Sequence, residues 1–314
     1  MQNRRKFIGS LAGVLAAIPA SAHILWPASG KQEGTNKKAS FNYCLNTSTI
    51  RGQKQGLMKD IDIAARAGYD SVELWLRDVR SYLDSGGSKR DIVQKLDDSG
   101  LTFENAIAFA EWVINDPSER KNQLSQYRKD LELLAELGCK RIAAPPAGAT
   151  QDVTIDLFDA AERYHAILNI GREYNIVPVL EVWGPSANLH ALGQAVFVVI
   201  ESKHPDAGLL LDIYHLHRGG SDFSGLRFLA GGTIPMFHFN DYPGNIARKE
   251  LTDADRVFPG DGVAPFSDIM PQLKRINPEM VLSLELFNPE YWKMDALEAA
   301  KTGLEMMKTA SAKA

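Results

Sequence analysis

The sequence predicts a single (β/α)8 TIM barrel of the α/β class, and three observations carry that prediction. Eight short apolar runs of strand character recur from residue 41 onward, helical periodicity fills the gaps, and glycine closes several of the helices. Strands alternating with helices build a parallel sheet, and eight is the number that closes it. A doubly wound open sheet is the competing arrangement, but no Gly-x-Gly-x-x-Gly follows the first strand. No break in composition marks a second domain. The expected organisation is residues 1–22 as an export signal, 23–40 as a flexible lead-in and 41–314 as the barrel.

Taken in order, the predicted strands are Phe41–Asn46, Ser71–Leu76, Thr102–Ile107, Arg141–Ala144, Val177–Val182, Gly208–Asp212, Ile234–Asn240 and Val281–Leu286. Helices are predicted between them, among others over 57–67, 123–137, 158–174 and 189–202. Gly68, Gly100 and Gly138 stand where a helix ends in a left-handed residue, and a strand follows each within a few residues. Longer loops follow strands three and seven, at 109–116 and 242–262, on the face where a barrel carries its chemistry.

The N-terminus reads as a processing signal. Arg4, Arg5 and Lys6 precede an apolar run from Phe7 to Ala20, and Ala20-Ser21-Ala22 has the small-x-small form of a cleavage site. The run is too short for a comfortable membrane span, so no stable anchor is expected. Arg4-Arg5 followed by Phe7 and Ile8 resembles a twin-arginine signal, which exports folded proteins and implies a periplasmic location. Cleavage after Ala22 removes three positive charges and takes the net charge from −4 to −7. With no basic block in the body of the chain, a nucleic-acid partner is not expected. Cys44 and Cys139 lie in separate strand-like runs and read as small buried residues rather than a disulfide or a metal pair.

Four polar residues close strand-like runs: Glu181, Asp212, His238 and Glu285, at steps of 31, 26 and 47 residues. In a closed barrel the C-terminal strand ends converge on one mouth, so residues distant in sequence meet there. Three carboxylates and one imidazole make a hard, oxygen-rich donor set suited to one divalent ion, Mn²⁺ foremost, with Mg²⁺, Co²⁺ or Zn²⁺ as alternatives.

With these residues in place, the chain resembles the xylose-isomerase-like barrel superfamily of sugar isomerases and epimerases from about Phe41 to the C-terminal helix. The resemblance rests on Leu180-Glu181-Val182, Leu211-Asp212-Ile213-Tyr214-His215, Phe237-His238-Phe239-Asn240-Asp241, Arg256-Val257-Phe258-Pro259-Gly260-Asp261-Gly262 and Leu284-Glu285. By resemblance to the ketose 3-epimerases, Glu181, Asp212, His238 and Glu285 hold one metal, and the two glutamates exchange a proton with substrate. The same resemblance puts His215 and Arg256 on substrate oxygens. Those epimerases carry another glutamate six residues past the first, where this chain has Ala187, which counts against a free ketohexose. Apurinic endonucleases of the superfamily use three zinc ions and extra histidines, and this chain has none at Glu104-Asn105-Ala106 or Ala144-Pro145-Pro146. Relatives assemble as dimers or tetramers, so a homo-oligomer is compatible with the resemblance.

The chemistry explains the residue types. Isomerisation or epimerisation removes a proton from carbon beside a carbonyl, and a metal Lewis acid stabilises the resulting enediolate. Glu181 and Glu285, on strands five and eight, can address that carbon from two sides. Phe109, Trp112 and Trp183 either stack on a sugar ring or bury themselves, and Glu73 either binds a substrate hydroxyl or serves the structure. The expectation is an exported metal-dependent isomerase or epimerase acting on a neutral sugar or keto-sugar. A lyase or dehydratase would share every residue named, and a non-catalytic carbohydrate-binding barrel is the alternative of another class.

Overall fold

In the computed structural model, which describes residues 40–313, eight parallel strands form one closed barrel in sequential order. They are β1 (Asn42–Asn46), β2 (Ser71–Trp75), β3 (Thr102–Ile107), β4 (Arg141–Ala144), β5 (Val177–Glu181), β6 (Leu209–Asp212), β7 (Met236–His238) and β8 (Val281–Leu284). The barrel closes where β1 pairs with β8, Cys44 against Ser283. The export signal and nearly all of the lead-in lie outside the described residues. Among the described residues no helix is long and apolar enough to cross a membrane.

Strands β2, β5, β7 and β8 end one or two residues earlier than predicted, while the other four end at the predicted residue. Nine α-helices are described: α1 (Leu57–Ala67), α2 (Leu76–Asp84), α3 (Lys89–Ser99), α4 (Pro117–Glu136), α5 (Leu157–Tyr174), α6 (Leu192–Ser202), α7 (Ile213–Gly219), α8 (Phe266–Ile276) and α9 (Ala296–Ser311). Helix α4 begins six residues before the predicted start at 123. Its first turn has no apolar stripe, but Asp116 caps the N–H groups of Ser118 and Glu119, and Pro117 sits at the first helical position. Gly68, Gly100 and Gly138 adopt positive φ as expected.

The alternation of side chains along each strand makes two apolar layers. One large cluster fills the space between sheet and helices, while a separate set including Cys44, Val179, Leu210, Met236 and Val281 packs inside the barrel. Two residues further along their strands come Asn46, Glu181, Asp212, His238 and Ser283, all buried. The interior therefore has an apolar floor under a polar layer. Cys44 and Cys139 are buried and free.

Candidate active site

The polar layer is organised around His238. The β6–β7 register sets Asp212 beside His238, and β8 sets Ser283 on its other flank. His238 Nε2 lies 3.1 Å from Glu73 Oε1. Glu73 also accepts from Asn105 Nδ2 (2.6 Å), Asn46 Nδ2 (2.8 Å) and Ser283 Oγ (2.6 Å). His238 Nε2 thus joins three other groups around one carboxylate, which turns Nδ1 toward the barrel centre. Around Nδ1 stand Glu285 Oε2 at 3.1 Å, Asp212 Oδ2 at 3.5 Å and Glu181 Oε1 at 3.8 Å. Nδ1 nevertheless has no hydrogen-bond partner.

Arg256 closes the site from the long loop after β7. Its Nη1 donates to Glu285 Oε2 (2.7 Å) and Asp212 Oδ2 (3.0 Å), and its Nη2 donates to Asp253 Oδ1 (2.6 Å). Nη2 also faces His215 Nε2 at 3.0 Å, while His215 Nδ1 faces the Gly184 N–H at 3.2 Å. Both ring nitrogens of His215 meet donors, so a second proton has no place. Burial pulls its pKa down to about 4, with Arg256 outweighed in part by Asp212.

The four central groups divide electrostatically. Burial pushes Glu181 up to about 8, and Glu285 adds to this while His238 opposes it. Burial acts on Glu285 too, but His238 and Arg256 outweigh it and hold that carboxyl at about 2. For Asp212, burial is outweighed by Arg256, His215 and His238, so it stays well below the usual carboxylate range. Burial would lower His238, yet Glu285 and Glu73 push it well above its ordinary value. Of the four buried acidic side chains at 73, 181, 212 and 285, Arg256 pairs only with Asp212 and Glu285. A cation at the centre would meet acidic groups there that no arginine pairs.

The residues fit a divalent metal. Asp212, His238 and Glu285 offer ligand atoms that all lie within 4.8 Å of one another, and the unpartnered Nδ1 points among them. Glu181, the fourth expected ligand, stands beside this triad rather than within it. Asn240 steadies Asp212, donating to both of its carboxylate oxygens at 3.2 Å.

Above the centre opens a cavity of about 400 Å³. Glu181, Glu285, His215 and Arg256 form its acidic pole, and Trp75, Phe109, Trp183 and Phe287 form an aromatic wall. The rings pack in tilted contact, Trp75 to Phe109 at 5.5 Å and Phe109 to Trp183 at 5.8 Å between centroids. Of the predicted substrate-binding residues, His215, Arg256 and Trp183 line this cavity. Trp112 does not. It is buried against Tyr164, and its Nε1 donates to the Pro145 carbonyl at 2.8 Å, so it belongs to the core. Glu73 does not line the cavity either, and four protein groups surround its carboxylate beneath the centre. The residues that sequence reasoning missed are Trp75, Phe287, Thr150, Gln151 and Asp253 in the lining, and Asn46 below it. Asn46 and Trp75 end their strands, the same signal that marks Glu181; Phe287, Thr150 and Gln151 lie in loops without periodicity, and Asp253 opens a three-residue 3-10 turn.

The chain is similar to known proteins over most of its length. An inosose isomerase of Bacillus velezensis is 27% identical over 269 residues, which span 83% of this chain and 94% of the relative. A 3-dehydroshikimate dehydratase of Pseudomonas putida is 26% identical over 263 residues, spanning 80% of this chain and 39% of the relative. Among solved structures, an IOLI protein with a bound zinc atom superposes with a TM-score of 0.81 at 25% identity, covering 87% of this chain and 99% of that one. A D-psicose 3-epimerase crystallised with D-fructose shares the fold, with a TM-score of 0.69 at 17% identity over 86% of this chain and 99% of that one. Residues 61–310 match the family described as xylose isomerase-like TIM barrel, and the chain belongs to that family.

Proposed function

We propose that the protein is a divalent-metal-dependent isomerase or epimerase of a neutral keto-sugar or keto-polyol. The observation that carries this reading is the orphaned Nδ1 of His238, buried among Glu181, Asp212 and Glu285. Asp212, His238, Glu285 and Glu181 would hold the ion, for which Mn²⁺ is our assignment. Bound there, it would supply Lewis-acid stabilisation of the charge that develops on a substrate carbonyl oxygen. Arg256 and His215 border the same pocket and orient the substrate's oxygens. Glu181 ends β5 and Glu285 directly follows β8, so one removes the carbon-bound proton and the other returns it. The aromatic wall takes the apolar face of a ring and shuts out water.

The inosose isomerases among its relatives support a cyclic keto-polyol as the substrate class. The dehydratase relative supports a second reading, in which loss of a β-hydroxyl follows the same proton removal. Incubation with an inosose in D₂O tests the first step. We expect deuterium at the carbon beside the carbonyl, and a stereoisomer or shifted ketone as product; a dehydrated product instead assigns the second reading. Glu181→Gln and Glu285→Gln should each lower turnover by at least about 100-fold with the circular dichroism spectrum unchanged. Full activity in either variant would falsify the two-carboxylate mechanism. Elemental analysis should find close to one divalent ion per chain, and a value near three zinc ions would sink the mononuclear assignment.

A further inference from the structure

Beside the main cavity lies a second one of about 260 Å³. Trp75, Ile107 and Phe109 line both, so these side chains form a partition common to the two. The second cavity is otherwise different in character. Arg77 and Arg80 from α2, and Gln123, Gln126 and Asp130 from α4, bring guanidinium, amide and carboxylate groups to it. Arg80 pairs with Asp130, and Gln126 donates to the same carboxylate at 2.9 Å. Tyr127, also in the lining, is buried with no hydrogen-bond partner for its hydroxyl. Phe109 packs against Trp75 and Trp183 yet stays 44% exposed.

An uncovered aromatic face beside planar polar side chains is a combination that suits a hydroxylated ring, whose C–H face covers the aromatic while its hydroxyls meet the amides. Proton transfer on a single ring at the acidic pole uses none of these polar groups. We propose that the second cavity is a subsite for a hydroxyl-rich substituent. The natural substrate is then a two-part molecule, such as a glycoside of a keto-sugar. Its reacting ring lies in the main cavity, and its substituent passes Phe109 to be held by Gln123, Gln126 and Arg77. This inference rests on the keto-sugar reading of the main site and extends it.

The test uses the full chain loaded with Mn²⁺ and two probes, a one-ring inosose and a two-ring 3-oxo-disaccharide, titrated calorimetrically. The disaccharide should bind at least about tenfold more tightly. That preference should vanish in the Gln123→Ala/Gln126→Ala double variant and in Ala110→Trp, which fills the cavity from its rim. Inosose affinity should stay within about twofold in both. Equal wild-type affinity for the two probes, or equal losses for both in the variants, overturns the subsite. Deuterium exchange on the same samples separates the two readings. Exchange into the inosose without a disaccharide preference keeps the reaction and removes the subsite. A disaccharide preference that depends on Gln123 and Gln126 but brings no exchange keeps the subsite and removes the reaction. Failure of both probes to bind overturns both.

Discussion

Glu73 shows at the scale of one residue how the centre is positioned. Its carboxylate gathers Asn46, Asn105, His238 and Ser283, and so fixes which nitrogen of His238 faces the mouth. Glu73→Gln should weaken metal binding by about 10–100-fold while the ligands themselves remain, measured by competition with a metal-chelating dye. An unchanged affinity would mean that the ring holds its orientation without Glu73. A second residue bears on stability. Burial, reinforced by Asp78, raises Asp60 to about 7. Between about pH 4 and 7 the native state binds this proton and the unfolded chain does not, so the contribution is full below pH 4 and gone above 7. Asp60→Asn should therefore be more stable than the wild type at pH 8, by on the order of 1–2 kcal/mol, with the difference shrinking at pH 4.5 in thermal melts. Single residues were unevenly legible. Glu181, Asp212, His238 and Glu285 each stand alone as a charge or imidazole closing an apolar run. Trp112 carries no such mark of direction, and its indole turned to the Pro145 carbonyl. Glu73 did carry a mark: it lies two residues before the end of β2, one pleat deeper than the residues that close their strands.

The loop after β7 is the element that completes the site, because it delivers Arg256. Asp241 holds that loop by accepting the N–H groups of Tyr242, Gly260, Gly262 and Ala264 at 2.7–3.0 Å. The fit is close: a Cβ on Gly262 would stand 2.3 Å from the Tyr242 carbonyl oxygen and 2.4 Å from Asp241 Oδ1. Asp241→Asn loses acceptor capacity for these donors and should lower Tm by about 5–10 °C, equivalent to about 2–3 kcal/mol. Because the loop carries Arg256, substrate KM should rise in the same variant. An unchanged Tm and an unchanged KM would show that the loop keeps its shape by other contacts. At this scale strands and helices were readable from their apolar spacing, and the loop's length and side of the barrel followed from them. Its internal bonding was not, since four backbone donors converging on one carboxylate leave no periodic trace.

For the molecule as a whole, eight strands at βα spacing were enough to specify a closed barrel, because only closure removes both sheet edges. The stretch before residue 40 adds a prediction of its own. We propose that it exports the folded protein, and replacing Arg4 and Arg5 by lysine should keep the protein in the cytoplasmic fraction, as followed by immunoblotting. Unchanged secretion of that variant would exclude a twin-arginine route. Closure also has a consequence for biosynthesis. Asn46 bonds Glu73 and Glu285 together, and Ser283 bonds Glu73 across 210 positions of sequence. The candidate centre is thus fastened to the seam between the first and last strands, through contacts between the two ends of the barrel sequence. A growing chain has no working centre until residues 281–285 have left the ribosome, and a product terminated upstream of them would be inert rather than partly active.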